Sequence, residues 1–147
     1  MSRRRKPLPV LEGVTICDVG AEGNAIAKVD GMVLFVPFAA PGDVVDVRLR
    51  KKKKSYAEGT VLRLVEAGPV RIAPICEHFT VCGGCRWQHL PYDFQLKCKQ
   101  QQVVDALTRI AKVELPEISP ILGSKQTECY RNKMEYTFSN RCWLTDQ

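Results

Sequence analysis

The chain has 147 residues, 45% of them apolar, with a formal net charge of +6 and seven cysteines. That length and apolar content suit one ordinary domain or two small ones and exclude a disordered polar segment. The sequence lacks any apolar run near the roughly 18 residues of a membrane helix, and it has no secretory leader. Odd cysteine usage without a leader is expected of a reducing, cytoplasmic protein, where a cysteine cluster reads as metal-binding rather than as a disulfide frame.

The charge is local. Arg3-Arg4-Arg5-Lys6 and the stretch Arg48, Arg50, Lys51, Lys52, Lys53 and Lys54 hold ten of the 22 basic residues, and the rest of the chain is net −4, with 12 basic against 16 acidic groups. Two dense basic patches on a mildly acidic body predict a polyanion site more readily than a device for solubility. The first patch also fits a plain unstructured tail, and the second a solvated hairpin tip.

From Leu11 to Glu66, short β-prone runs alternate with turn residues, which predicts five strands. The first spans about Glu12 to Val19 and the second about Asn24 to Val29. Asp30-Gly31 supplies a positive-φ pair for a tight hairpin into Met32 to Pro37. After a turn at Pro41-Gly42-Asp43, Val45, Val47 and Leu49 alternate with Asp46, Arg48 and Arg50, a half-buried strand that becomes basic toward its Lys51 to Lys54 tip. Tyr56 to Val65 returns as the fifth strand. Cys17, inside the first strand, reads as a core residue. Five short antiparallel strands in this span suit a small closed barrel of the OB type, which commonly binds oligonucleotides.

Pro69 to Pro74 reads as a linker, with a boundary near Gly68. Beyond it, Cys76, Cys82 and Cys85 crowd a loop in which Gly83 and Gly84 permit positive φ, so that backbone N–H groups turn toward sulfur. Soft thiolates at this spacing select zinc or an iron–sulfur cluster. His78 or His89 would complete a Cys3His zinc site, or would only pack beside the loop. Phe79, Trp87 and Tyr92 read as stacking surfaces for bases or as shields of the loop.

A helix is expected from Tyr92 to Ala111, with Leu96, Val103, Leu107 and Ile110 as its buried stripe and Cys98 facing away from it. Strands are expected at Ile118 to Leu122 and Tyr130 to Ser139, the latter with Arg131 and Lys133 on a charged face. The absence of a closing element after Trp143 and Leu144 suggests a piece of a longer protein. The predicted class is mainly β and α+β: residues 1–68 a barrel, 69–91 a linker and cysteine loop, and 92–147 a helix with the first strands of a further domain.

Cys76-Glu77-His78-Phe79, Cys82-Gly83-Gly84-Cys85-Arg86-Trp87-Gln88-His89-Leu90 and Tyr130-Arg131-Asn132-Lys133 together resemble the bacterial uracil-5-methyltransferases of ribosomal and transfer RNA. The resemblance implies that residues 11–66 form an RNA-binding TRAM domain. It further implies a [4Fe-4S] cluster on Cys76, Cys82, Cys85 and a fourth cysteine beyond residue 147, which leaves Cys98, Cys129 and Cys142 without that role. The catalytic cysteine, the general base and the S-adenosylmethionine pocket of such enzymes belong to a later domain, so no catalytic residue is assigned here. The expected partner is RNA, ribosomal in preference to transfer, met through Arg48, Arg50, Lys51 to Lys54, Arg131 and Lys133 by a monomer without membrane contact. The rival reading is an RNA-binding module with a structural zinc and no chemistry.

Overall fold

A computed structural model describes residues 8–130, 138 and 140 of the chain. Five strands, β1 (Val10–Val19), β2 (Asn24–Val29), β3 (Met32–Pro37), β4 (Val44–Lys52) and β5 (Tyr56–Glu66), close a barrel in the order β1-β2-β3-β5-β4. Neighbouring strands run antiparallel except β3 and β5, which pair in parallel through Val33↔Tyr56, Leu34↔Ala57 and Phe35↔Glu58. This mainly β architecture, followed by one helix, is the one expected from the alternation of apolar and polar residues.

Period-two patterning fills the barrel. Ile16, Leu34, Val36, Val45, Val47, Leu49 and Ala57 point inward and are buried, each large one contributing about 1.5–3 kcal/mol relative to exposure. Asp30 and Gly31 take φ of 49° and 75°, and the register Val29↔Met32 makes theirs the expected two-residue hairpin. Cys17 departs from expectation. Ile16 takes the inward position, so Cys17 faces solvent and its Sγ lies 3.2 Å from the Ile26 carbonyl, next to a register shift between Ile16 and Asp18. Strand alternation thus outweighs the usual burial of a lone cysteine.

The helix α1 (Tyr92–Asp105) continues as a π-helical turn over Ala106–Ile110, so the helical span matches expectation. The turn widens where Thr108 Oγ1 donates to the Val104 carbonyl at 2.8 Å, a side chain competing for the helical ladder. The packing faces differ from those expected. Phe94 and Cys98 pack on Val19, Ala40 and Leu90, whereas Val103 (55% exposed) and Ile110 (81%) face outward. Glutamines account for this: Gln102 Nε2 donates to the Gly20 carbonyl at 2.9 Å, and Gln95 Nε2 to the Leu90 and Trp87 carbonyls at 2.9 and 3.1 Å. Polar side chains that satisfy buried carbonyls fix this face more firmly than the weak apolar stripe does.

Ile118 to Leu122 is not a strand. Gln100 on α1 instead takes its backbone, accepting from the Ile121 N–H at 3.0 Å and donating to the Ser119 carbonyl at 3.3 Å. Arg131, Lys133, Cys142, Arg3 to Lys6 and most of the expected strand Tyr130 to Ser139 lie outside the described residues. Among the described residues, no helix is long and apolar enough to cross a membrane.

Candidate nucleic-acid interface and cysteine loop

The β4–β5 hairpin carries the second basic patch. Arg48, Arg50 and Lys51 to Lys54 are all exposed, and the register shift between Leu49 and Lys51 adds Arg50 as an extra residue at the outer surface. The lysines are not equivalent. Lys51 Nζ donates to Glu58 Oε1 at 2.7 Å and sits 5.4 Å from the centre of the Tyr56 ring. The Glu58 hydrogen bond is the main reason its ammonium is held above the ordinary lysine range. Lys52, Lys53 and Lys54 at the tip are the residues best placed for phosphates, since a point charge on a flexible stem tracks a backbone without reading sequence.

In the cysteine loop, Gly83 takes φ of 71°, and the Gly84 N–H points at Cys82 Sγ from 3.4 Å. That is the N–H···S geometry predicted from the paired glycines. Turns held by the Cys76 and His78 carbonyls carry the chain from Cys76 to Cys82, and the Cys76 N–H donates to Gln88 Oε1 at 3.2 Å. The donor set suits soft-metal chemistry, with Cys82 exposed and Cys76 and Cys85 half-buried. Its sulfurs do not yet converge, because among the described residues no group of three or more His, Cys, Asp or Glu is gathered closely enough to hold a metal. Ligand closure commonly accompanies metal binding, so a preformed cage is not required. Burial, and then the Asp18 charge, push the Cys98 thiol up.

The loop is fastened to the barrel. Asp43 is fully buried and accepts from the Ala40 N–H (2.6 Å), the Gly68 N–H (2.8 Å) and Arg71 Nη2 (2.6 Å), while the same Arg71 nitrogen donates to the Phe38 carbonyl at 2.9 Å. His89, also fully buried, sets Nε2 3.1 Å from the Ala39 carbonyl and stacks at a tilt on Phe79, whose ring meets Phe38 edge-on. Phe79 and Trp87 therefore act as packing, Trp87 against the Val19, Ala40 and Leu90 cluster. The Tyr92 hydroxyl is likewise used, accepting from the Ser124 N–H at 2.7 Å.

Burial is the main reason His89 is held below the ordinary histidine value of 6.5, and the Arg71 charge adds to it; the Ala39 carbonyl and Asp43 act the other way. The unfolded chain binds a proton near pH 6.5 that the folded one refuses, so stability is full above that pH and declines as pH falls below it. Thermal melts from pH 8 to pH 5 are expected to show this decline. His89→Gln should flatten it.

Sequence reasoning missed Asp43 and Arg71, whose 28-residue separation carries no local signal. It also missed Phe35 and Tyr56, although the inward Leu34 and Val36 flanking Phe35 mark that ring as outward-facing.

Residues 12–62 match the TRAM domain family. A protein of Porphyromonas gingivalis named as an uncharacterized RNA methyltransferase is 57% identical over 129 residues, covering 88% of this chain and 28% of that protein. A 23S rRNA (uracil(1939)-C(5))-methyltransferase of Francisella tularensis subsp. novicida is 39% identical over 137 residues, covering 90% of this chain and 30% of that protein. Among solved structures, the tRNA (uracil-54, C5)-methyltransferase of Pyrococcus abyssi in complex with S-adenosyl-L-homocysteine is 33% identical, covering 74% of this chain and 23% of that one, with a TM-score of 0.43. The chain spans under a third of the length of these curated relatives. Residues 12–62 are a TRAM domain, on a chain that corresponds to the N-terminal part of relatives named RNA methyltransferases.

Proposed function

We propose that this chain is the RNA-gripping part of a cytoplasmic, monomeric, S-adenosylmethionine-dependent RNA (uracil-5-)-methyltransferase, with ribosomal RNA as substrate in preference to transfer RNA. The observation that carries the reading is the exposed Lys52 to Lys54 tip with Arg48 and Arg50 on a closed TRAM barrel. Lysines there neutralise phosphates and release counterions, which supplies affinity and fast capture without choosing a sequence. Arg131 and Lys133, which lie outside the described residues, are proposed as further phosphate contacts. In this reading the methyl-transfer chemistry belongs to residues outside this chain, and the part played here is placement of the RNA.

The reading includes a [4Fe-4S] cluster on Cys76, Cys82 and Cys85 with a fourth ligand beyond residue 147. It is supported by the ligand spacing and by the Gly84 N–H aimed at Cys82 Sγ. A bound cluster would serve as a structural tie for a loop that has little regular structure of its own. Residues 1–68, 69–91 and 92–147 then divide the work into grip, tie and connection.

The test is the salt dependence of RNA binding. Replacing Lys52, Lys53 and Lys54 together by alanine is expected to weaken binding at low salt. It should also reduce the slope of log K against log salt by about 2, at about 0.7–0.9 for each phosphate that is no longer neutralised. Fluorescence anisotropy across a potassium chloride series measures both, and an unchanged slope removes the tip from the interface.

A further inference from the structure

The outer face of the barrel beside the cysteine loop carries two aromatic rings. Leu34 and Val36 turn into the core, which leaves Phe35 outside; Ala57 turns in, which leaves Tyr56 outside on the adjoining parallel strand. The two rings meet edge to face, with centroids 6.1 Å apart and planes at 68°. Both remain half-buried, so neither is spent on the core.

These rings line a groove of about 1000 Å³ whose walls also include Phe38 on the barrel and Thr80 and Val81 on the cysteine loop. Arg50, Arg63 and Arg71 line it against Glu22 and Glu58, and Lys51 already pairs with Glu58. The groove is therefore aromatic, and most of the charge along its walls is paired, Arg63 with Asp46 and Arg71 with Asp43. It is also continuous with the basic tip, because Lys51 spans the two, bonding Glu58 and lying 5.4 Å from the Tyr56 ring centre.

We infer that this groove receives an unstacked base of single-stranded RNA, held against Phe35 and Tyr56, while the neighbouring phosphates lie on Lys52 to Lys54. The inference rests on the RNA-binding reading above and adds to it a site for the base itself. Every base has a π-face, and an aromatic platform beside a row of cations is the arrangement that holds a single strand without strict sequence choice. The exposed Lys52 to Lys54 tip beside the platform favours a polyanionic strand over a neutral apolar ligand.

The experiment compares a labelled single-stranded oligoribonucleotide of about ten nucleotides with an abasic strand of the same length and charge, each titrated against the intact protein. The base-bearing strand is expected to bind about five- to a hundredfold more tightly, the range for stacking one base. Phe35→Leu keeps an apolar cover on the barrel and should remove most of that ratio, while leaving abasic binding and the salt slope unchanged. Alanine at Lys52, Lys53 and Lys54 should weaken both strands alike. Equal binding of both strands by the unaltered protein, with its salt slope intact, leaves RNA binding standing and overturns the base site. Failure of both strands to bind overturns the RNA reading and the base site together.

Discussion

Asp43→Ala is expected to lower the unfolding free energy by about 3–5 kcal/mol, the usual result of removing one partner of a buried ion pair. The carboxylate lies wholly out of water, and its loss leaves the Ala40 and Gly68 N–H groups without their acceptor and the Arg71 guanidinium with only the Phe38 carbonyl. The two N–H groups are donors that folding has already stripped of water and Arg71 is mostly buried, so the cost comes from what remains unpaired. Urea denaturation followed by circular dichroism measures it, and a change under about 1 kcal/mol would show that solvent or a rearranged Arg71 makes good the loss. Acid should reproduce the variant's defect. Burial pushes the Asp43 carboxyl up, but the Arg71, Gly68 and Ala40 hydrogen bonds outweigh it and hold the group below the ordinary 3.8. A depressed carboxyl stabilises the fold above the unfolded value and loses that contribution as pH falls through the folded one, so this loss lies below pH 3.8, separate from the histidine effect that begins near 6.5.

Cys82→Ser and Cys85→Ser in the intact protein are each expected to take bound iron and acid-labile sulfide from about four per chain to near zero, together with the brown colour. A serine hydroxyl does not replace a thiolate for a soft metal, and loss of one ligand from a three-cysteine loop leaves too few to close the site. Cys98→Ser and Cys17→Ser serve as controls. The first thiol is packed against the barrel with its ionisation suppressed, and the second faces solvent on β1, so both variants should retain iron. Metal analysis on anaerobically purified protein decides the matter: one zinc without sulfide supports the rival metal. Full iron in the Cys82 and Cys85 variants removes these residues from the ligand set.

The barrel was legible because its strands obey simple rules. Leu34, Val36, Val45, Val47 and Leu49 alternate with outward residues, and Asp30-Gly31 allows little besides a tight hairpin. The double-glycine bend was legible for the same reason, since a positive φ at Gly83 was written into the residue type. What hydropathy hid was polar packing. Gln95, Gln100 and Gln102 look like solvent residues, yet they dock α1 by taking carbonyl and N–H groups of the segments before and after it. The Asp43–Arg71 pair was hidden by distance along the chain, and the outward turn of Cys17 by trust in residue type over alternation.

Closure of the barrel through the β1–β4 and β3–β5 pairings has one more effect. A cylinder with no open rim gives a neighbouring extended chain nowhere to add, which guards a basic protein in a crowded cell against strand-by-strand clumping. In the proposed reading, it also means that the strands meet a nucleic acid with side chains and not with an open backbone edge. Lysines, arginines and aromatic rings can then be exchanged by mutation to suit a different transcript while the scaffold beneath keeps its shape.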